Sequence, residues 1–571
     1  MAKIKHKLQA WLHAAVSSLP EALLALFVAS LVPLVLLVGE MAFRLFNRLI
    51  SEPATVWAQA EAEPWTPLAW ALCVAGGIVL LWLLWIGRAG LWAVARKMII
   101  EAMHRRVVVV LLVFFIVLAP SLPFILKTEG NPKSQVQIVL SYSLSLAEIL
   151  LSLVAIVICT ASLCSEIERK QVQVTDPKPL PRWQFLGGKL LGVVVMCAAI
   201  LFLMAASIYG LVNYMARDRN LSSLSQLDAE KQQRWLPQVR DEVLVTRRAV
   251  RPLMPDVSTD VEKEIERRIK EGMVDGTNAQ AVQGTRSTVT DQFQKRAFTA
   301  PAFSYLEVPP IRGLAPNLKE PVFLRFKARR TNTQAAKQLE GEWLMARVEP
   351  ASPEEKTKGI RYKPVLIIGR PGPFSADSFQ EVSLPGELVN SEGVLLLAYR
   401  NYQGDTGVQF DPKDGIEVLQ KTEGFFPNYY RALLVILCRI TVLAAVALMA
   451  GAAFSFPVAS FTVAAIFFIG LITPWVIEAA GYFFSPGMAK GATYQVKLVI
   501  NTAFRGFVWV LDVVMPHFGS FNPRPDLVSG KIVSWGFVAQ AAAVNLFIKG
   551  AVAMLVAVYV YSRRELARVI V

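Results

Sequence analysis

The residues able to do chemistry in this chain are few and scattered. The four histidines, His6, His13, His104 and His517, show no ligand spacing. The five cysteines, Cys73, Cys159, Cys164, Cys197 and Cys438, all stand inside apolar runs. They read as small buried hydrophobes, not as a disulfide framework or thiolate ligands, and no metal site is expected. No HExxH, paired CxxC or GxSxG motif occurs, so no enzymatic active site is expected. One stretch has the flavour of a phosphate loop, "FLGGKLLG" at 185–192. It lacks the upstream glycine of G-x-x-x-x-G-K-[ST] and the hydroxyl after the lysine, so it can neither cradle a phosphate nor supply a magnesium ligand.

Ionisable residues inside apolar sequence are the second kind of candidate. Glu148 lies near the middle of a long apolar run, where a charge costs on the order of 3 kcal/mol. Arg439, Glu478 and Lys549 lie within or at the edges of others. They could line a polar route or form ion pairs between helices. The plainer alternative leaves Glu148 neutral or hydrogen-bonded to a neighbouring helix, while Arg439 and Lys549 snorkel. A third candidate is the charged stretch between two apolar runs, "SEIERKQVQVTDPKPLPRWQFLGGK" at 165–189. Its first half extends the preceding helix, its prolines break that helix, and "RWQFLGGK" begins a return.

The elements that must position these residues follow from composition. Of 571 residues, 54% are hydrophobic and 18% charged, against about 25% charged in an ordinary soluble domain. Runs of the roughly 20 apolar residues needed to cross a bilayer recur at both ends of the chain. They predict about eight transmembrane helices, at 22–39, 67–86, 107–126, 138–164, 190–214, 432–454, 457–476 and 532–561. Residues 1–19 read as a cytoplasmic interfacial helix, 20–87 as two N-terminal spans, and 90–106 as an amphipathic basic helix. Residues 484–531 carry turn signals that allow a re-entrant turn.

The net charge of +15 collects in short basic groups beside apolar runs, such as Arg105 and Arg106 or Arg563 and Arg564. That is the positive-inside pattern, without the interleaved aromatics of a nucleic-acid platform, and no nucleic acid is expected as a partner. It puts both termini and 165–189 on the cytoplasmic side and 215–428 outside. The insert at 215–428 predicts an α+β domain: helical over 218–300, then β-rich over 301–421 and sandwich-like. Val261, Ile265, Ile269 and Met273, four apart, mark one helix face. Tyr399 and Tyr402 read as exposed aromatics of the kind that bind sugars, or as ordinary core and rim.

The stretch 165–189 resembles the coupling loop of the ABC-2 family of ABC transporter permeases. The match lies in Glu166, Glu168 and Arg169 on the outgoing side and Pro179, Arg182, Phe185, Gly188 and Lys189 on the return. It extends to an elbow helix before a span and to "RRE" after the last one, covering 90–214 and 429–571 as two halves of a permease core. The resemblance implies a membrane subunit of an exporter in a bacterial cytoplasmic membrane. It implies a second permease copy or a related permease, the lipid bilayer, and a separate ABC ATPase docked on this loop as partners. ATP and magnesium would be used by that ATPase and no cofactor bound by this chain. Two N-terminal spans and the large insert exceed a six-span permease. Two alternatives stay open: mechanotransmission, in which motion of the spans works on the insert, and a membrane scaffold that displays a sandwich domain.

Overall fold

In the computed structural model of the chain the described residues are 65–86, 88–104, 132–169, 181–216, 242–274, 279–316, 320–332, 338–350, 362–483 and 521–563, with a few isolated positions besides. The chain divides into two compact units. One comprises 1–244, 425–529 and 533–571, the other 245–424 and 530–532.

The first unit is helical: α1 (Trp65–Ile86), α2 (Arg88–His104), α3 (Pro132–Glu168) and α4 (Arg182–Met215) from the N-terminal half. The C-terminal half adds α7 (Phe425–Ala453), α8 (Phe456–Phe483), the short α9 (Arg524–Val528), α10 (Trp535–Ala541) and α11 (Ala551–Arg563). A π-helical segment, Ala542–Gly550, joins the last two into one continuous rod. Prolines set several starts. Pro132 opens α3, Pro427 sits in the first turn of α7, and Pro457 in that of α8, where a missing N–H costs nothing. Pro181, with extended backbone, precedes α4. A continuous apolar core joins α3, α4 and α7 with the rod α10–α11.

Five helical stretches, not eight, are long and apolar enough among the described residues to cross a membrane: Lys133–Glu168, Arg182–Met215, Phe425–Ala453, Phe456–Thr473 and Trp535–Arg563. The expected span 67–86 falls within α1 and contributes only a shorter described apolar stretch, Ala69–Val79. The expected span 22–39, the interfacial helix 1–19, and most of 107–126 and of 484–531 lie outside the described residues. The elbow expected at 90–106 is α2.

The second unit carries α5 (Ser258–Lys270), α6 (Ala279–Ala297) and twelve strands. These are β1 (Val245–Val250), β2 (Thr299–Ala300), β3 (Tyr305–Arg312), β4 (Val322–Arg330), β5 (Gln338–Leu339) and β6 (Gly341–Pro350). Then follow β7 (Tyr362–Pro371), β8 (Phe374–Ser375), β9 (Phe379–Leu384), β10 (Val394–Asn401), β11 (Val408–Phe410) and β12 (Ile416–Gly424). Among the described residues one antiparallel sheet has the order β1-β12-β4-β11-β2, with β9 also on β4; a second is β3-β10-β6-β7, and β5 pairs with β8 in a third of two strands. Phe326 and Phe410 of the first sheet meet Trp343 and Tyr399 of the second, with ring centroids 5.1 Å apart between Phe326 and Trp343 and between Tyr399 and Phe410. Burial of such rings dominates the energetics of this core.

Two expectations are corrected here, and one pair of alternatives is decided. The region expected to be helical over 218–300 contains strand β1, because "VTRRAV" pairs with β12. On α5 only Val261 and Ile265 are buried, against Val289 of α6. Met273 lies beyond the helix, whose end is turned by Gly272 at φ +67°. Tyr399 is wholly buried, which decides for the core alternative; its period-2 position on β10 points it into the core.

Residues Gly530–Ile532 complete the first sheet from far along the chain. Arg247 N–H donates to Gly530 O at 2.7 Å, and Ile532 N–H to Arg247 O at 3.0 Å. Lys531 Nζ reaches buried Glu417 at 2.6 Å, Arg325 reaches the same carboxylate at 3.0 Å, and Arg247 grips Glu381 at 3.1 and 3.2 Å.

Candidate functional site

The charged stretch between α3 and α4 is anchored by its two flanks. Glu166, in the last turn of α3, is buried, and its Oε1 accepts from Lys97 of α2 at 2.9 Å. Its Oε2 lies 2.7 Å from Nζ of Lys189, on the first turns of α4. Lys189, 2% exposed, also donates to Ser162 Oγ at 2.7 Å and stands 5.2 Å from the Phe185 ring centre. Ser162 in turn donates to Glu101 of α2 at 3.4 Å. A buried carboxylate and a buried ammonium thus satisfy one another, and removing one partner of such a pair costs about 3–5 kcal/mol.

Gly188 and Gly192 permit this closeness. A Cβ on Gly188 would stand 2.8 Å from Leu91 O, and one on Gly192 would stand 2.8 Å from Ala95 O and 2.9 Å from Met98 Cβ. The G-x-x-x-G spacing puts both glycines on one face, along which the backbones of α2 and α4 approach. Phe185 stacks on Tyr561 of α11, centroids 5.7 Å apart, and Arg182 donates to Ser562 O at 2.6 Å. Elbow, both loop flanks and the last helix meet at one place.

The residues expected to meet an ATPase therefore divide. Glu166, Phe185, Gly188 and Lys189 are buried in the packing of this chain itself. Glu168 and Arg169 are exposed at the end of α3, and Arg182 is half-buried at the start of α4. Pro179 lies outside the described residues.

The intramembrane candidates also divide. Glu148 of α3, 3% exposed, pairs with Arg439 of α7, 1% exposed, at 2.7 Å. Arg524 of α9 approaches the other oxygen of Glu148 at 3.6 Å and donates to Ser145 Oγ. Gln137 of α3 donates to Val528 O at 3.0 Å, so α9 is held on α3 at two points. Lys549 is half-buried in the π-helical segment and belongs to neither cluster of ion pairs described here.

Sequence reasoning missed Lys97, Glu101, Ser162, Gly192, Ser145 and Arg524. The G-x-x-x-G signal for Gly192 was present in "GGKLLG", and Lys97 and Glu101 share a helix face four residues apart. Arg524, between two prolines in "NPRP", carried no signal. All five cysteines are free thiols; Cys159, Cys164 and Cys197 are buried, and Cys73 and Cys438 half-buried. Compared with protein-family models, curated proteins and solved structures, the chain matches none.

Proposed function

We propose that this chain is the membrane-spanning permease subunit of an ABC-2 type ABC transporter, an exporter driven by a separate ATPase. One observation carries the reading. The flanks of the 165–189 stretch are locked by the Lys97–Glu166–Lys189 cluster to an elbow helix and two spans, while Glu168, Arg169 and Arg182 stay at the surface. A loop on such a base would pass a push at its tip to α2, α3 and α4 together. Energy from the ATPase can shift the helices only through contacts that differ between states, and this junction is where such contacts would act. In this reading the loop is cytoplasmic, 215–428 lies outside a bacterial cytoplasmic membrane, both termini are cytoplasmic, and a second permease copy completes the pathway.

The test is co-purification of the full chain with an ABC ATPase encoded beside it. Glu168→Arg or Arg182→Glu is expected to abolish co-purification and stimulated ATP hydrolysis. Stimulation that survives replacement of 169–181 by a glycine-serine linker of equal length would overturn the assignment.

A second reading, mechanotransmission onto the β-rich unit, is favoured by the pairing of Glu148 with Arg439 and Arg524. Charges that satisfy one another do not line an open route. Transport measured in vesicles separates the two: ATP-driven movement of solute is expected only of an exporter.

A further inference from the structure

The outer face of the sheet β3-β10-β6-β7 carries a row of side chains that the readings above leave unused. Tyr305, Arg400 and Glu342 are direct cross-strand partners on β3, β10 and β6. With strands about 4.8 Å apart, the row spans roughly 10 Å. The Tyr402 hydroxyl donates to Glu342 Oε2 at 2.5 Å, and the Arg400 guanidinium lies 5.3 Å from the Tyr402 ring centre. The other Glu342 oxygen lies over Gly369 of β7, where any Cβ would collide with it. The carboxylate therefore lies along the sheet.

Two rings at the β3 end of the row are uncovered. Tyr305 is 62% exposed and Phe303 is 77% exposed. Phe303 holds φ at +51°, a left-handed conformation unfavourable for a bulky side chain. It is kept there by its N–H bond to Gln403 O at 3.1 Å, and its ring lies against Gly404, where a Cβ would strike it. Backbone strain concentrates at binding sites, and here it holds an apolar ring in water instead of burying it.

The chemistry of the row narrows the ligand. One arginine and one carboxylate cancel, which disfavours a polyanion. A purely aliphatic partner would leave both charges unused. A pyranose fits each part: its C–H face packs on a flat ring, and its hydroxyls can donate to a carboxylate and accept from a guanidinium. We propose that this sheet face binds an uncharged pyranose glycan, stacked on Phe303, Tyr305 and Tyr402 and gripped by Glu342 and Arg400. The proposal rests on the β-rich unit alone and stands or falls independently of the transport reading.

The test is calorimetric titration of the full-length chain, purified in detergent, with cellohexaose and with chitohexaose. Saturable binding of at least one hexasaccharide is expected. Tyr305→Ala and Phe303→Ala should each weaken it by up to about tenfold, the yield of one aromatic contact. Arg400→Ala should weaken it further, and Tyr402→Phe, which keeps the ring, only a few-fold. Phe379→Ala, on the other sheet, should leave it unchanged. Two results would overturn the proposal: no saturable binding at millimolar sugar, or unchanged affinity in a Phe303→Ala/Tyr305→Ala double variant that melts like the parent protein.

Discussion

The helical unit and the β-rich unit both bury carboxylates between two cations, but they do so at different depth and reach. Glu148 and Glu166 lie inside helix packing, each held by cations from other helices: Arg439 and Arg524 for the first, Lys97 and Lys189 for the second. Glu417 and Glu381 lie on one sheet face, their partners mostly on strands one or two ladders away: Arg325 and Lys531 hold Glu417, Arg247 holds Glu381. On the sheet, period-2 alternation delivers several charges to one face at once, and Arg325 and Lys531 keep part of their surface in water. In the helices the innermost pairs, Glu148 with Arg439 and Glu166 with Lys189, are nearly closed to water on both sides. Loss of a partner should therefore cost more in the helical unit.

Predictions that would break this comparison follow the same gradient. Arg439→Leu strands Glu148 and is expected to cost about 3–5 kcal/mol, read as a lower melting temperature of the purified protein. A Glu148→Leu/Arg439→Leu double variant should regain most of it, because the one cation left, Arg524, is not fully buried and keeps its bond to Ser145. Glu166→Gln leaves Lys189 without its carboxylate and should cost about 3 kcal/mol by the same measurement, the low end for a buried pair because the amide oxygen can still accept from Lys189. Glu417→Gln in the sheet should cost only about 1–2 kcal/mol, because Arg325 and Lys531 can turn to water. A sheet variant that equals Arg439→Leu would end the distinction.

The smallest effect is expected at Glu264, on the solvent side of α5. Hydrogen bonds from Arg267 and Arg268 pull its carboxyl down to about 2. A carboxyl held below its ordinary value of about 4.3 stabilises the folded form above that pH, and the contribution fades as pH falls toward 2. Glu264→Gln should flatten the pH dependence of α5 hydrogen exchange between those limits. Arg267 is exposed and Glu264 keeps part of its surface in water, so the change should be slight and should shrink further in salt.

Much of this arrangement was legible in the sequence, and the rest was not, for identifiable reasons. Apolar length revealed α3, α4, α7, α8 and the rod α10–α11, because lipid imposes a long and unambiguous pattern. The strand-like texture after residue 301 became two sheets. Among the described residues five of the eight expected spans form long apolar helices; 22–39 and most of 107–126 lie outside those residues, and 67–86 gives only a shorter apolar stretch. Glu166 and Lys189 stood out as charges beside spans, but nothing local said that they faced each other. That depends on how α2 lies along α4, a tertiary fact set by Gly188 and Gly192. Tyr399 and Tyr402, three residues apart, have opposite fates because one follows the strand pleat and the other lies beyond its end. Arg524 was invisible, its role fixed by a partner almost four hundred positions away.

The three residues Gly530–Ile532 bear on how such a molecule can be taken apart, and on how it could have been put together. A domain spliced into a loop ordinarily has two junctions, so it can be cut out as a cassette. Here the second unit draws on two separate stretches of chain, 245–424 and 530–532. An excised 245–424 fragment would lose the backbone partners of Arg247 and would leave Glu417 without Lys531. A soluble version would need 530–532 grafted back by a linker. Any ancestor that acquired the insert by recombination had then to evolve this second attachment, after which the two parts could no longer be exchanged independently.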